Sequence, residues 1–317
     1  MDQLNNKNTV IIILGPTGVG KTAVSILVAK ALKTEIISAD SMQIYRHMDI
    51  GTAKPSAEEL RAIPHHMIDI LSPAESFSAG MFRERAKEAI DGLLAKNRIP
   101  IIVGGTGLYI RSLTEGLFEG PGADWPLREK LMEDEKIHGS GHLYKYLCEI
   151  DPAAAEKISP NDLRRTVRAL EVSLKEDKKI SECRQLSTKP ADYNFIKIGL
   201  SRDREELYRM IEERVDKMME EGLLDETERL LSMGPERTAL QALGYREMAR
   251  HLNGEIALEE AVRLTRKRTK MYAKRQMTWF RKEPGINWVD ITGTMSTDKI
   301  YEMVLNKVEI LREIIYS

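Results

Sequence analysis

The sequence predicts an α/β fold: a parallel sheet flanked by helices, carrying an inserted all-helical unit. Three observations carry that reading. Short β-branched runs alternate with amphipathic helical patterns through the first hundred or so residues, the rhythm of strand–helix–strand units. A glycine-rich turn separates the first strand pattern from the first helix pattern. A charged, helix-patterned stretch without strand signals then interrupts the alternation before a strand pattern returns.

Residues 10–14 are an apolar run of buried-strand length, and residues 23–29 continue as a helix. Between them, Gly15-Pro16-Thr17-Gly18-Val19-Gly20-Lys21-Thr22 matches G-x-x-x-x-G-K-[ST], the phosphate-binding P-loop. Its glycines let the backbone curl so that N–H groups and the helix N-terminus converge on anionic oxygens. Lys21 adds a point charge, and the Thr22 hydroxyl can ligate a Mg²⁺ that bridges phosphates. The predicted sheet is therefore P-loop NTPase-like and binds a di- or triphosphate.

Residues 35–38 read as the second strand, with Asp40 just past its end. Residues 78–96 read as an amphipathic helix with Phe82, Ala86, Ala89, Ile90 and Leu93 on one face. Residues 99–103 read as a strand ending at Gly104-Gly105-Thr106-Gly107. Ligands of such sheets sit outside the carboxyl ends of the strands, so the P-loop, Asp40 and Thr106 are expected at one rim. There Asp40 is a Mg²⁺-anchoring carboxylate, a general base or a turn-capping aspartate. Thr106 either donates to a ligand or caps the next helix.

Composition turns rich in Gly and Pro over 116–126, and residues 127–137, 142–150 and 162–178 read as charged helices. The expected division is a P-loop catalytic core with C-terminal helices over 1–118 and 190–317, and an inserted helical domain over 119–189. Arg164 and Arg168 share a helix face at i, i+4, a spacing that suits a phosphate clamp or a solvated face. Residues 193–200 return as a strand, 204 to about 283 read as helices, 285–290 as an edge strand, and 297–315 as a closing helix.

A chain of 317 residues can bury more than one core. No apolar run approaches the roughly 20 residues of a membrane span. The N-terminus lacks the pattern of a signal peptide, and Cys148 and Cys183 lie too far apart for a C-x-x-C site. A cytoplasmic monomer with no membrane association is expected. Net charge is −1, yet residues 263–282 hold nine Lys or Arg and no acid, interleaved with Tyr272, Trp279 and Phe280. Cations for phosphates and aromatics for bases suit a nucleic acid, although Tyr272, Ala273, Gln276 and Phe280 also fall at core-facing helical spacing. His65-His66 cannot share a helix face and no second cluster of ligand spacing appears, so no metal site of His or Cys clusters is expected. Glu35, His142 and His251 carry no readable signal.

Taken together, several blocks resemble the tRNA dimethylallyltransferases, also called tRNA isopentenyltransferases. They are the P-loop, Ser38-Ala39-Asp40-Ser41-Met42-Gln43-Ile44-Tyr45, Asp49-Ile50-Gly51-Thr52-Ala53-Lys54-Pro55 and Pro64-His65-His66-Met67-Ile68-Asp69. Val103-Gly104-Gly105-Thr106-Gly107-Leu108-Tyr109 and Arg164-Arg165-Thr166-Val167-Arg168-Ala169-Leu170-Glu171-Val172 continue the pattern. Ala242-Leu243-Gly244-Tyr245-Arg246-Glu247 and Lys274-Arg275-Gln276-Met277-Thr278-Trp279-Phe280-Arg281 complete it. Eukaryotic members carry a C-terminal zinc finger. No such Cys/His cluster occurs here, so the chain is similar to the compact bacterial form.

The resemblance implies transfer of a dimethylallyl group from dimethylallyl diphosphate to the N6 amine of the adenosine 3′-adjacent to the anticodon, with Mg²⁺ as cofactor. It implies Asp40 as general base, Thr17 near the bridging oxygen, Lys21 on the leaving group and Thr22 on the metal. Gly15, Pro16, Thr17, Gly18, Val19, Gly20, Lys21 and Thr22 then hold the diphosphate. The implied contacts to the tRNA anticodon stem-loop are Asp40, Ser41, Met42, Gln43 and Thr106 at the rim. In the insertion they are Arg128, Arg164, Arg165, Thr166, Val167 and Arg168; further on, Gln241, Arg263, Arg266, Arg268, Lys274 and Arg275. Gln241 stands where some members carry arginine, with Arg246 nearby as a substitute.

The competing readings are a small-molecule kinase, a prenyltransferase acting on free adenine nucleotides and a non-catalytic P-loop RNA-binding protein. The first two have little use for an extended basic surface, and intact Lys21, Thr22 and Asp40 argue against the third. No Asn-Lys-x-Asp motif supports a GTPase.

Overall fold

The computed structural model describes residues 8–118, 120–176, 179–185 and 189–316. The chain opens with β1 (Thr9–Leu14), α1 (Lys21–Leu32), β2 (Ile36–Ala39), α2 (Ala57–Ala62), β3 (His65–His66), α3 (Ala79–Leu94), β4 (Ile101–Gly104) and α4 (Gly107–Thr114). Then come α5 (Trp125–His138), α6 (His142–Ile150), α7 (Pro152–Ala155), α8 (Leu163–Glu176) and α9 (Ile180–Gln185). It continues with β5 (Asn194–Ser201), α10 (Arg204–Glu220), α11 (Leu223–Ser232), α12 (Arg237–Leu240), α13 (Tyr245–Leu252) and α14 (Leu258–Phe280). The last elements are β6 (Ile286–Asp290), α15 (Thr297–Lys307) and α16 (Glu309–Tyr316). The helix expected through 178 is described only as far as Glu176. The single closing helix expected over 297–315 is two helices, broken at Val308, whose φ of −113° and ψ of 80° leave the helical region.

The six strands form one sheet in the order β3-β2-β4-β1-β5-β6, every pairing parallel. Parallel strands need crossover connections, and the helices between them bury both faces of the sheet. β1 accordingly is buried at every position, with its side chains alternating between two cores. Ile11 and Ile13 pack with α1, α10 and the C-terminal helices. Val10, Ile12 and Leu14 pack with Phe82, Ala86 and Ile90 of α3 and with α4. α3 starts where the sequence signals it, since the Ser78 side chain accepts from the Met81 N–H.

Two units divide the chain: Met1–Thr114 with Asp192–Ser317, and Glu115–Ala191. The second is all helix and has its own core of Leu143, Leu147, Val167, Ala169 and Leu170 among others. In the first, α11, α13 and α14 build a further cluster on Ile44, Tyr45 and Met48, which follow β2. Among the described residues no helix is long and apolar enough to cross a membrane. Cys148 is a free exposed thiol; the Cys183 side chain lies outside the described residues.

Candidate active site

β1 runs directly into the P-loop. Gly15 sits at φ +152°, and a Cβ there would lie 2.6 Å from the Leu200 carbonyl oxygen of β5, so the first loop position excludes a side chain. Lys21 begins α1 and folds back on the loop, its Nζ donating to the carbonyls of Gly15 at 3.0 Å and Pro16 at 2.9 Å. Burial pulls its pKa down to about 8; the Asp40 carboxylate opposes that shift and the Arg214 guanidinium adds to it. Arg214, on α10, is itself desolvated, and again Asp40 is the charge that favours its protonated form. Two cations and one carboxylate thus act on one another at the strand rim.

Sequence reasoning passed over Arg214 because it sits in a charge-rich helix. One signal could have found it. Leu207, Ile211 and Val215 are the buried stripe of α10, and Arg214 falls on that stripe rather than on the solvent side.

Asp40 follows β2, and its Oδ1 accepts from the Met42 N–H at 2.9 Å, closing an Asx turn. Its other carboxylate oxygen receives no hydrogen bond from the described residues. The Ser41 N–H donates to Thr106 Oγ1 at 3.2 Å, while the Thr106 N–H donates to Ala39 O at 3.2 Å. Thr106 therefore ties the end of β2 to the end of β4, and its carbonyl accepts the first hydrogen bonds of α4.

A second residue without a prior role, Gln276 of α14, closes the rim. Its Oε1 accepts from the Thr17 N–H at 2.8 Å and its Nε2 donates to Gly105 O at 2.8 Å. A Cβ on Gly105 would lie 2.1 Å from that Nε2, so Gly105 is the residue that lets the amide in. Tyr272, one turn earlier, shares hydrogen bonds with the Thr106 and Gln276 side chains, and burial raises its pKa well above the usual phenol range. The ends of β1, β2 and β4 and the inner edge of α14 meet at one place, as the strand-end argument expects.

Other residues expected to touch the tRNA are engaged elsewhere. The Gln43 amide accepts from Ser38 Oγ at 3.1 Å and donates to Thr52 O and Ala53 O at 3.3 and 3.2 Å. It holds the 49–55 loop from within. The same loop is gripped by the buried Glu226 carboxylate, which accepts from the N–H groups of Asp49, Ile50 and Gly51 and from the Tyr245 hydroxyl. Lys54 is buried against Asp49 and Asp69. Much of the motif density around 49–69 is scaffold for the loop after β2.

In the helical unit, Arg128 makes a two-point pair with the fully buried Glu171, both bonds at 2.8 Å. Arg168 binds the same carboxylate and the Pro121 carbonyl, so the Arg164/Arg168 phosphate clamp is not formed. Thr166 and Val167 face the unit's core, the Thr166 hydroxyl donating to Asp162 O at 3.0 Å. Arg164 and Arg165 are exposed, Arg165 with Asp162 at 3.3 Å.

The basic run on α14 is not a field of nine free charges. Arg263 pairs with Glu260, Arg266 with Asp216, Arg268 with the buried Glu247, and Lys270 with Glu212. Lys267, Lys274, Arg275, Arg281 and Lys282 remain exposed, Arg275 lying over the Tyr272 ring at 5.8 Å. Gln241 is exposed at the end of α12, and Arg246 pairs with Glu247 at 3.0 Å.

A parallel sheet with this loop at the end of β1 defines the P-loop NTPase-like class of fold. The chain belongs to the IPP transferase family, whose model matches residues 43–283. A tRNA dimethylallyltransferase of Thermodesulfovibrio yellowstonii is 54% identical over 305 residues, covering 94% of this chain and 96% of that protein. The crystal structure of a full-length tRNA isopentenylpyrophosphate transferase from Bacillus halodurans is 40% identical, with a TM-score of 0.70, covering 98% of this chain and 100% of that one. A eukaryotic dimethylallyltransferase seen acting on tRNA is 30% identical, with a TM-score of 0.75, covering 90% of this chain and 74% of that one.

Proposed function

We propose that this protein transfers a dimethylallyl group from dimethylallyl diphosphate to the N6 amine of the adenosine 3′-adjacent to the anticodon of tRNA. The observation that carries the reading is the pairing of a P-loop with Asp40 across the strand rim, Lys21 and Arg214 acting on both, in a chain of the IPP transferase family. Kinases use such a loop to hold a nucleotide; here the same loop holds the diphosphate of an isoprenoid.

The chemistry follows from where charge develops. As the allylic C–O bond breaks, negative charge grows on the departing diphosphate. P-loop N–H groups, Lys21 and Arg214 are fixed donors and cations for it, and such preorganised groups are the largest catalytic term in many enzymes. Thr17 is the loop residue we assign to the bridging oxygen. The N6 lone pair forms the new C–N bond, and the free oxygen of Asp40 takes the N6 proton. The Thr22 hydroxyl and the diphosphate oxygens are hard oxygen donors, a set that fits Mg²⁺. When bound, the ion offsets charge on the diphosphate. The target base must leave the anticodon stack, which costs a few kcal/mol. Lys274, Arg275, Arg164 and Arg165 are exposed among the cations assigned to the stem-loop.

The test is a transfer assay with labelled dimethylallyl diphosphate, Mg²⁺ and unmodified tRNA, with AMP and ADP as parallel acceptors. Label is expected in tRNA at the adenosine after the anticodon. Label in the free nucleotides alone would move the activity to adenine-nucleotide prenylation. In the same assay Asp40→Ala is expected to abolish transfer with tRNA binding nearly unchanged. Transfer at a near-normal rate in that variant would remove Asp40 as the base.

A further inference from the structure

We propose that Asp134, His138 and His142 form a site for a divalent cation of the zinc class at the turn between α5 and α6. All three belong to the helical unit, and none has a part in the prenyl-transfer site. Their potential ligand atoms lie within 4.8 Å of one another. Asp134 receives both imidazoles: His138 Nδ1 lies 3.1 Å from Oδ1, and His142 Nε2 lies 3.1 Å from Oδ2. His138 Nδ1 also approaches the Asp134 carbonyl oxygen at 3.1 Å. The two rings stack with centroids 4.5 Å apart.

The spacing is built into the chain. Asp134 and His138 are one helical turn apart on α5, and His142 opens α6. The intervening turn is locked by Glu135, whose carboxylate accepts from the Gly141 N–H at 2.6 Å and the Leu143 N–H at 2.8 Å. Leu143 is fully buried and anchors the far side of the turn. Zinc bonds of about 2.0–2.2 Å place tetrahedral ligands roughly 3.3 Å apart, so atoms within 4.8 Å of one another need draw in by no more than about 1.5 Å to close on an ion. Two imidazoles with one carboxylate prefer Zn²⁺, Co²⁺, Ni²⁺ or Cu²⁺ over Mg²⁺ or Ca²⁺. A cation here also sits by the C-terminus of α5, where the helix dipole is negative. All three side chains are partly exposed, so a fourth ligand can be water.

Untagged protein titrated with Zn²⁺ by calorimetry at neutral pH, with Mg²⁺ as the control ion, tests the site. One equivalent of Zn²⁺ is expected to bind, with Co²⁺ giving tetrahedral absorption bands. Affinity is expected to fall at least tenfold in His138→Ala and in His142→Ala, and to weaken in the isosteric Asp134→Asn. Circular dichroism of each variant checks that the fold is kept. No saturable Zn²⁺ binding, or binding retained by both histidine variants, would overturn the proposal.

Discussion

Lys21 keeps its proton against its surroundings, and that gives the donor site a pH signature. With its pKa lowered to about 8 in the free enzyme, the ammonium is lost in a range where an ordinary lysine stays charged. kcat/KM for dimethylallyl diphosphate is expected to fall above about pH 8, while the limb in kcat lies higher because bound diphosphate favours the charged form. Stability moves the other way. The unfolded chain, with a lysine value of 10.5, binds the proton more tightly than the folded one. Stability from this residue therefore rises as pH climbs from about 8 to 10.5, and the penalty is fully present below that window. Paired profiles of kcat/KM and of denaturant midpoint check this, and both features should vanish in Lys21→Ala. A kcat/KM profile flat up to the ordinary lysine value would mean that the ammonium of the working enzyme is not desolvated.

α14 does two jobs with its two edges. Inward, Gln276 holds the Thr17 N–H and the Gly105 carbonyl together. Gln276→Ala leaves both groups unpaired and is expected to cost about 1–3 kcal/mol of stability per orphaned group. kcat/KM for the donor should fall with tRNA affinity nearly unchanged. Gln276→Glu keeps the acceptor for Thr17 but sets a carboxylate against the Gly105 carbonyl and beside the diphosphate loop, so its kcat/KM for the donor should fall further than that of Gln276→Ala. Equal loss in both variants would assign Gln276 to packing alone. Outward, changing Lys274 and Arg275 to Ala should lower the slope of log affinity against log salt by about 1.4–1.8, the counterion release of two neutralised phosphates. An unchanged slope would take this edge out of the RNA interface. The inner edge is half legible in the sequence: Tyr272, Ala273, Gln276 and Phe280 fall at core-facing spacing, but nothing local shows that Gln276 reaches a loop 259 residues away. Pairing of the basic run is illegible for the same reason. Asp216 and Glu212 lie 50 and 58 residues before their partners, and only the packing of α10 on α14 brings them together. What can be read are features with a local cause: the β1–loop–α1 unit, the strand-end position of Asp40, and the apolar face of α3.

At the scale of the molecule, the chain spends one continuous excursion on helices and returns to finish its sheet. The expected insertion of 119–189 runs in the folded chain from Glu115 to Ala191, because the Gly/Pro-rich stretch that marks the change begins at Gly116. The P-loop unit does not depend on the excursion for its core, since β5 pairs with β1 through six residues from Asn194 to Gly199. Both ends of the excursion are also held inside that unit. Thr114 Oγ1 donates to Glu283 at 3.4 Å, and Lys197 pairs with the same carboxylate. Replacing residues 115–191 by a short Gly/Ser linker is therefore expected to leave a folded P-loop protein. That protein should bind dimethylallyl diphosphate with near-native affinity by calorimetry, because Lys21, Asp40, Arg214 and Gln276 all remain. Its tRNA affinity should fall and its salt slope should drop by about 0.7–0.9 for each phosphate that Arg164 or Arg165 no longer neutralises. Unchanged tRNA affinity would place the whole RNA interface on the P-loop unit and leave the insertion with some other task. Loss of donor binding would instead mean that the rim relies on the insertion for its shape, contrary to the hydrogen bonds that close it from α14.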